Sequence, residues 1–138
     1  MGACSFALGM AFSSRKVIDI LNKIKPPYNI NQATQDLAFE ALKNIGLVND
    51  WIKESVAERQ RLSDALNDLK IVTKVYPSDA NFILVEVTNA LQIYDTLVNQ
   101  GIIVRDRSKV TLCEGCLRIT VGTKEENNHL LNVLKNIS

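Results

Sequence analysis

The hydrophobic positions from residue 71 onward change period several times, and each change predicts a new element. Residues 71–76 are rich in β-branched side chains, residues 81–87 form a second apolar run, and the turn-forming sequence Pro77-Ser78-Asp79 separates them. This arrangement predicts two antiparallel strands. Two shorter apolar runs, 102–104 and 117–121, predict two more strands.

Two helices are expected between and after these strands. Thr88 or Asn89 can cap a helix with apolar residues at helical spacing, and Gly101 stands where the end of that helix needs a left-handed residue. Thr123 and Glu126 form a capping box that opens a last helix. The order of elements is therefore β, β, α, β, β, α. It predicts an α/β fold, a small α+β sandwich with a mostly antiparallel sheet and helices on one face.

The first seventy residues predict a strand and a helical arm that lead into this sandwich. Residues 8–12 have the composition of a short apolar strand, and a helix follows that Pro26 and Pro27 end. A second helix is predicted from 31 to about 42, and a long amphipathic helix of five or more turns between 46 and 70. The strand has no partner nearby in the sequence, so we expect disorder, domain-swapped pairing or self-association through the first dozen residues.

Composition and charge exclude several classes of protein. The 138 residues are 46% hydrophobic and 22% charged, an ordinary mixture for a soluble domain. A net charge of +1 gives no summed field that would hold nucleic acid or an acidic membrane surface, and the sequence predicts neither a signal peptide nor a membrane span. Three cysteines, an odd number, favour a reducing compartment, so we expect a cytoplasmic protein. Two of them form a single C-x-x-C pair, Cys113 and Cys116, which alone predicts no metal site.

Three blocks of the sequence resemble the histidinol-phosphate aminotransferase family. The most specific block contains Arg105-Asp106 and, thirteen residues after its arginine, Arg118 within Leu-Arg-Ile-Thr-Val-Gly-Thr. The resemblance covers essentially the whole chain from Leu8. The other two blocks are the run 8–12 continuing to Lys25-Pro26-Pro27-Tyr28-Asn29, and Ser78-Asp79-Ala80-Asn81-Phe82.

The resemblance implies a part of a homodimeric fold-type I enzyme that uses pyridoxal phosphate. In such an enzyme a large domain holds the cofactor, and a small domain closes over the substrate. The implied reaction exchanges the amino group between glutamate/2-oxoglutarate and histidinol phosphate/imidazole acetol phosphate in histidine biosynthesis. Residues 1–45 are then a remnant of the large domain with connecting helices, and residues 46–138 are the small domain.

The sequence departs from the family pattern at its beginning. The family's Schiff-base lysine lies shortly before an arginine that binds the cofactor phosphate. That arginine position is occupied by Ala7, and the lysine position would lie before Met1. We therefore expect the chain alone to bind no pyridoxal phosphate and to have no turnover, although the full-length form would use the cofactor.

Two arginines are the candidate substrate-binding residues. Arg118 lies in a β-branched strand, where its planar fork can bind an anion bidentately. The resemblance assigns it the carboxylate of the amino-acid donor, and the phosphate of histidinol phosphate in the other half-reaction; it assigns Arg105 to the substrate phosphate. The alternative for Arg118 is an edge-strand arginine facing water. The alternative for Arg105 is a surface ion pair with Asp106 or Asp79.

Three other residues with functional side chains are expected to be structural or solvated. We expect Phe82 in the core, Tyr28 half-buried in a turn and His129, the single histidine, exposed to solvent. A different interpretation of the whole chain is a small-molecule-binding or regulatory α/β sandwich without catalysis, because many effector-binding domains share this architecture. An RNA-binding sandwich is excluded by the neutral charge and by the lack of sheet aromatics flanked by basic residues.

Overall fold

The computed structural model describes residues 8–137, in which five helices and four strands are formed. The chain divides into two compact units, Met1–Asn49 and Asp50–Ser138. The division falls inside the third helix, four residues after the domain boundary that the sequence predicted between residues 45 and 46. The elements are α1 (Arg15–Ile24), α2 (Gln32–Lys43), α3 (Ile45–Asn67), β1 (Val72–Val75), β2 (Phe82–Val87), α4 (Ala90–Asn99), β3 (Arg105–Asp106), β4 (Cys116–Thr120) and α5 (Lys124–Ile137).

The first unit is helical and leaves its apolar side chains exposed. The side chain of Asn31 caps α2 by accepting a hydrogen bond from the backbone N–H of Thr34 at 2.8 Å. Residues 8–14 adopt no regular secondary structure, so the predicted strand at 8–12 is wrong. A strand needs a hydrogen-bonded neighbour, and the described part of this unit contains no other strand. None of the unit's described residues is buried.

The second unit contains an antiparallel sheet with the strand order β1-β2-β4-β3. β4 lies between β2 and β3, and its Arg118 is paired with Leu84 on one side and with Arg105 on the other. Side chains alternate between the two faces of a strand. In β2 the alternation is visible as burial, because Ile83, Val85 and Val87 are buried while the residues between them are only half-buried.

The core of this unit lies between the sheet and the helices on one of its faces. Apolar residues of α3, α4 and α5 pack against the buried positions of β2 and β4, which confirms the predicted sandwich. The opposite face, which we call the open face, carries Phe82, Leu84, Glu86, Arg118 and Thr120. The fully covered side chains include Leu62, Leu66, Ile83, Val85, Ile93, Leu97, Leu117, Ile119, Leu130, Leu131 and Leu134.

The third strand begins later than the sequence predicted. We expected a strand at 102–104, but β3 consists of Arg105–Asp106. The reason is the end of α4, where the N–H of Gly101 donates to the carbonyl of Val98 at 2.9 Å and the N–H of Ile102 donates to that of Leu97 at 2.8 Å. This Schellman motif uses the backbone of Ile102 for the helix cap, so that residue is not available to the sheet.

Candidate substrate-anion site

Arg118 lies at the centre of the open face. Its neighbours in sequence, Leu117 and Ile119, are buried against the helices, so the side chain of Arg118 projects from the opposite face. The residue is half-buried. β4 is flanked by strands on both sides, which excludes the alternative of an edge-strand arginine facing water.

The ring of Phe82 supports the guanidinium of Arg118. The Cζ atom of Arg118 lies 5.0 Å from the centroid of the Phe82 ring, which is within the range of a cation–π interaction. Phe82 is paired with Thr120, two residues after Arg118, so both side chains occupy the open face. The expectation that Phe82 belongs to the core is therefore wrong. Its alternation with Ile83, Val85 and Val87 was the sequence signal that could have placed it correctly.

The Nε atom of Arg118 is buried and has no hydrogen-bond partner among the described residues. A buried donor without a partner costs about 1–3 kcal/mol. An anion placed against this N–H would remove that cost and would also meet the positive charge. The guanidinium is thus oriented by Phe82 and has a buried Nε atom, and it forms no ion pair with the described residues.

Arg105 is exposed and stands directly opposite Arg118 in the register of β3 and β4. Two like charges in directly opposed positions are destabilising, unless a negative charge lies between them. The alternative for Arg105, an ion pair with Asp106 or Asp79, is absent among the described residues. Asp106 accepts a hydrogen bond from the N–H of Ser108 at 2.8 Å, and Asp79 lies 3.9 Å from Arg59. The hydrogen bond from the N–H of Ser108 holds the pKa of Asp106 below its usual value.

A cleft of 580 Å³ beside β3 is lined by Arg105 but not by Arg118. The two arginines thus share one sheet face without lining the same enclosed pocket in this part of the chain. An anion that contacts both must lie across the open face. The cleft is lined by Tyr94, Ile103, Val104, Arg105, Asp106, Arg107 and Thr120.

An arginine of α3 that the sequence did not single out holds the segment before Phe82. Nη1 of Arg59 donates to the carbonyl of Ala80 at 2.9 Å. The hydroxyl of Ser78 donates to the carbonyl of Phe82 at 2.6 Å and accepts from the N–H of Ala80 at 3.1 Å. Nothing in the helical pattern of α3 distinguishes Arg59 from its charged neighbours, because its partner is a backbone carbonyl twenty-one residues away.

The remaining candidates do not join this site. Tyr28 is 96% exposed with a positive φ of 57°, so the expected half-buried position is wrong. His129 is exposed, as expected. Cys113 and Cys116 carry free thiols, and burial raises the pKa of Cys116. Over residues 8–137 no group of three His, Cys, Asp or Glu side chains is placed to hold a metal ion.

The lysines of the described residues differ from a Schiff-base lysine in their surroundings. A Schiff-base lysine has to be desolvated in an enclosed site to be reactive. Every lysine between residues 8 and 137 is exposed. Ala7, which stands at the position of the family's phosphate-binding arginine, lies outside the described residues.

Comparison with known proteins identifies the class. A family model described as Aminotransferase class I and II matches residues 1–134. The chain therefore belongs to the class I and II aminotransferase family. The match includes nearly the whole chain, so a regulatory sandwich unrelated to aminotransferases is not favoured.

Relatives within this family indicate which of its members the chain is similar to. The histidinol-phosphate aminotransferase of Cytophaga hutchinsonii is 48% identical over 134 residues, which are 97% of this chain and 38% of the relative. That of Parabacteroides distasonis is 50% identical over 136 residues, 99% of this chain and 39% of the relative. The chain thus spans about two fifths of the length of these relatives.

Solved structures show the same fold. A decarboxylase from Sulfurospirillum multivorans superimposes with a TM-score of 0.82 at 30% identity, covering 99% of this chain and 40% of that one. The histidinol-phosphate aminotransferase from Clostridium acetobutylicum gives a TM-score of 0.79 at 22% identity, over 89% of this chain and 38% of that one. In the described residues no helix is long and apolar enough to span a membrane.

Proposed function

We propose that residues 46–138 are the small domain of a histidinol-phosphate aminotransferase and supply its substrate-anion site. The reaction is the exchange of an amino group between glutamate/2-oxoglutarate and histidinol phosphate/imidazole acetol phosphate. The support is twofold: relatives that are 48% and 50% identical over the aligned 134 and 136 residues carry that name, and the open face presents two arginines that form no ion pair among the described residues.

The observation that supports this proposal is the set of surroundings in which the Arg118 side chain lies. Its Nε is buried without a partner among the described residues, its guanidinium lies over Phe82, and Arg105 stands opposite. A planar guanidinium binds a carboxylate or a phosphate with two parallel hydrogen bonds. We propose that Arg118 binds the carboxylate of glutamate in one half-reaction and the phosphate of histidinol phosphate in the other. Arg105 adds a second positive charge for the phosphate.

The cofactor belongs to the full-length protein in this proposal. Pyridoxal phosphate supplies the electron sink that stabilises the carbanion formed next to the amino group. In this proposal the chain contributes binding and orientation of the substrate, and the large domain holds the cofactor. After borohydride reduction of the chain mixed with pyridoxal phosphate, mass spectrometry should show no stoichiometric adduct on a single lysine. Such an adduct would contradict the assignment of the cofactor to the large domain.

We further propose that the first unit packs against a large domain and belongs to the large-domain side of a homodimer. Its helices expose many apolar residues, which soluble domains normally cover. The most exposed apolar side chains of α1, α2 and the residues before and between them are Met10, Phe12, Ile24, Tyr28, Phe39 and Leu42.

A chimera tests the function directly. Residues 8–138 of this chain replace the matching stretch of the Parabacteroides distasonis relative, so that the relative keeps the rest of its own large domain and its own residue at the position of Ala7. We expect the chimera to transaminate histidinol phosphate. Arg118→Lys should raise KM or lower kcat/KM, whereas Arg15→Lys, an exposed arginine of α1, should not. A folded chimera without activity, or one insensitive to Arg118→Lys, would overturn the proposal.

A further inference from the structure

Two consecutive residues of α3, Glu58 and Arg59, reach the same end of the sheet. Because β2 and β4 are antiparallel, the first residue of β2 lies beside the last residue of β4, and Phe82 is indeed paired with Thr120. Arg118 and its supporting ring therefore sit close to this end. Whatever fixes the end of the sheet also fixes how the guanidinium lies over the ring.

The first connection runs from Arg59 to the start of β2. Nη1 of Arg59 donates to the carbonyl of Ala80 at 2.9 Å, and only 20% of the Arg59 side chain is exposed. The next carbonyl, that of Asn81, accepts a hydrogen bond from the N–H of Val121 at 2.9 Å. Arg59 thus holds the segment that enters β2 in the place where that segment also bonds to the end of β4.

The second connection runs from Glu58 to the end of β4 through Asn127. Asn127 is 2% exposed, and its amide is fully used. Oδ1 accepts from the N–H of Gly122 at 3.0 Å, while Nδ2 donates to the carbonyl of Gly122 at 3.0 Å and to Oε2 of Glu58 at 2.9 Å. The carboxylate of Glu58 is held in turn by Nε and Nη2 of Arg61, at 2.9 and 2.7 Å.

Close packing at Gly122 adds to this constraint. A Cβ atom at Gly122 would lie 2.6 Å from Oε2 of Glu126, the carboxylate that accepts a hydrogen bond from the N–H of Thr123 at 2.8 Å. The chain therefore leaves β4 in a defined place, with Gly122 only four residues after Arg118. A part-buried polar network of this kind favours one geometry, where apolar contacts tolerate sliding.

We propose that Glu58, Arg59 and Asn127 form a clamp that positions Arg118 over Phe82. They are positioning residues, since none of them is placed to contact the anion itself. If the clamp opens, the end of β4 shifts against the start of β2, the guanidinium leaves the ring, and the buried Nε becomes hydrated. The consequence for binding rests on the proposed role of Arg118, but the position of the side chain can be measured without any ligand.

The test is the side-chain NMR resonance of Arg118 in the 138-residue chain. A proton over an aromatic ring is shifted upfield, so the Nε–H and Cδ protons of Arg118 report its contact with Phe82. Asn127→Ala should move them most of the way to the values of a free arginine, and Glu58→Gln part of the way. Asn128→Ala, an exposed neighbour, and Leu66→Val, which weakens the core without touching the clamp, should leave them in place.

Titration with phosphate then distinguishes a failure of the clamp proposal from a failure of the anion-site proposal. If both proposals hold, phosphate binds the parent and Asn127→Ala weakens the binding about three- to tenfold. If phosphate does not bind the parent but the clamp variants still move the Arg118 resonances, the anion site fails and the clamp stands. A folded Asn127→Ala variant with unmoved resonances would overturn the clamp. Should that variant not fold, unmoved resonances in Glu58→Gln would overturn it equally.

Discussion

Glu58 is the ionisable residue whose pKa is changed most strongly by its surroundings in the fold. Hydrogen bonds from Arg61 and then from Asn127 lower the pKa of Glu58 from 4.5 to about 2. The folded pKa is lower than the unfolded one, so the stabilisation is fully present above about pH 4.5 and is lost as the pH falls toward 2. A shift of this size corresponds to at most about 3 kcal/mol.

We predict that Glu58 stabilises the fold at neutral pH and that this contribution is lost in acid. Urea unfolding of the parent should show a loss of stability as the pH falls from about 5 toward about 2, and about 1–3 kcal/mol of that loss should be absent in Glu58→Gln. Glu54→Gln, on the same helix, serves as the matched control. Equal acid dependence of the parent and Glu58→Gln would show that the carboxylate is not held as the structure indicates.

At the residue scale, the sequence predicted which residues belong to the candidate site better than it predicted what surrounds each of them. Arg105 and Arg118 could be selected because their residue types and spacing match a family motif, and the structure then placed them opposite each other on adjacent strands. The role of the Phe82 ring, which supports the guanidinium of Arg118, was not predicted because Phe82 was judged by its hydrophobicity alone. Arg59 and Asn127 could not have been found, since their partners are backbone groups or side chains brought together only by folding.

At the element scale the ends of helices were predictable where side chains define them. The capping box is formed as predicted, with the N–H of Glu126 donating to Oγ1 of Thr123 at 3.3 Å and the N–H of Thr123 donating to the Glu126 carboxylate. Gly101 occupies the left-handed region at φ 76°. The start of β3 was not predictable from apolar residues, because the helix cap before it uses the backbone of Ile102.

Gly101 gives a prediction about the free energy of unfolding, and Gly46 provides a control at which the same substitution should not destabilise the chain. Gly101→Ala forces a side chain into the left-handed region and should lower the free energy of unfolding by about 1–2 kcal/mol. Gly46 lies within α3, and a Cβ atom added there would meet no other atom within 4 Å, so Gly46→Ala should not destabilise the chain and should raise its helix content. Thermal unfolding followed by circular dichroism measures both; a Gly101→Ala variant as stable as the parent would contradict the Schellman cap.

At the scale of the whole molecule, periodicity predicted the classes of the elements but not their neighbours. Hydrophobic alternation is local, whereas the central position of β4 depends on its pairing with β2, a strand that lies far earlier in the chain. The predicted strand at 8–12 failed for the same reason, because strand formation depends on a partner that the local sequence does not contain. The sandwich itself followed from the order of elements, since that order allows few ways of covering one face of a sheet.

The exposed first unit predicts self-association of the isolated chain. Large apolar side chains of α1 and α2 face solvent, so we expect concentration-dependent oligomers in sedimentation velocity experiments. Ile24→Glu combined with Phe39→Glu should shift the distribution toward the monomer. Leu91→Glu, at a comparably exposed position of α4, should not. A parent that remains monomeric at high concentration would refute the idea that this surface requires a cover.

The central claim is that Arg118, with Arg105 opposite, binds the anionic group of the substrate. One charge-assisted hydrogen-bonded pair contributes about 1.5–3 kcal/mol, less than the ~4 kcal/mol of a millimolar complex, so a second contact to Arg105 should make phosphate bind better than acetate. Chemical-shift titration of the 138-residue chain with each anion, on the parent and on Arg118→Lys, measures this directly. We predict that phosphate shifts resonances near Arg105 and Arg118 at lower concentration than acetate, and that the lysine variant, which keeps the charge but loses the planar fork, binds more weakly. Phosphate that shifts neither arginine, or a lysine variant that binds equally well, would contradict the account.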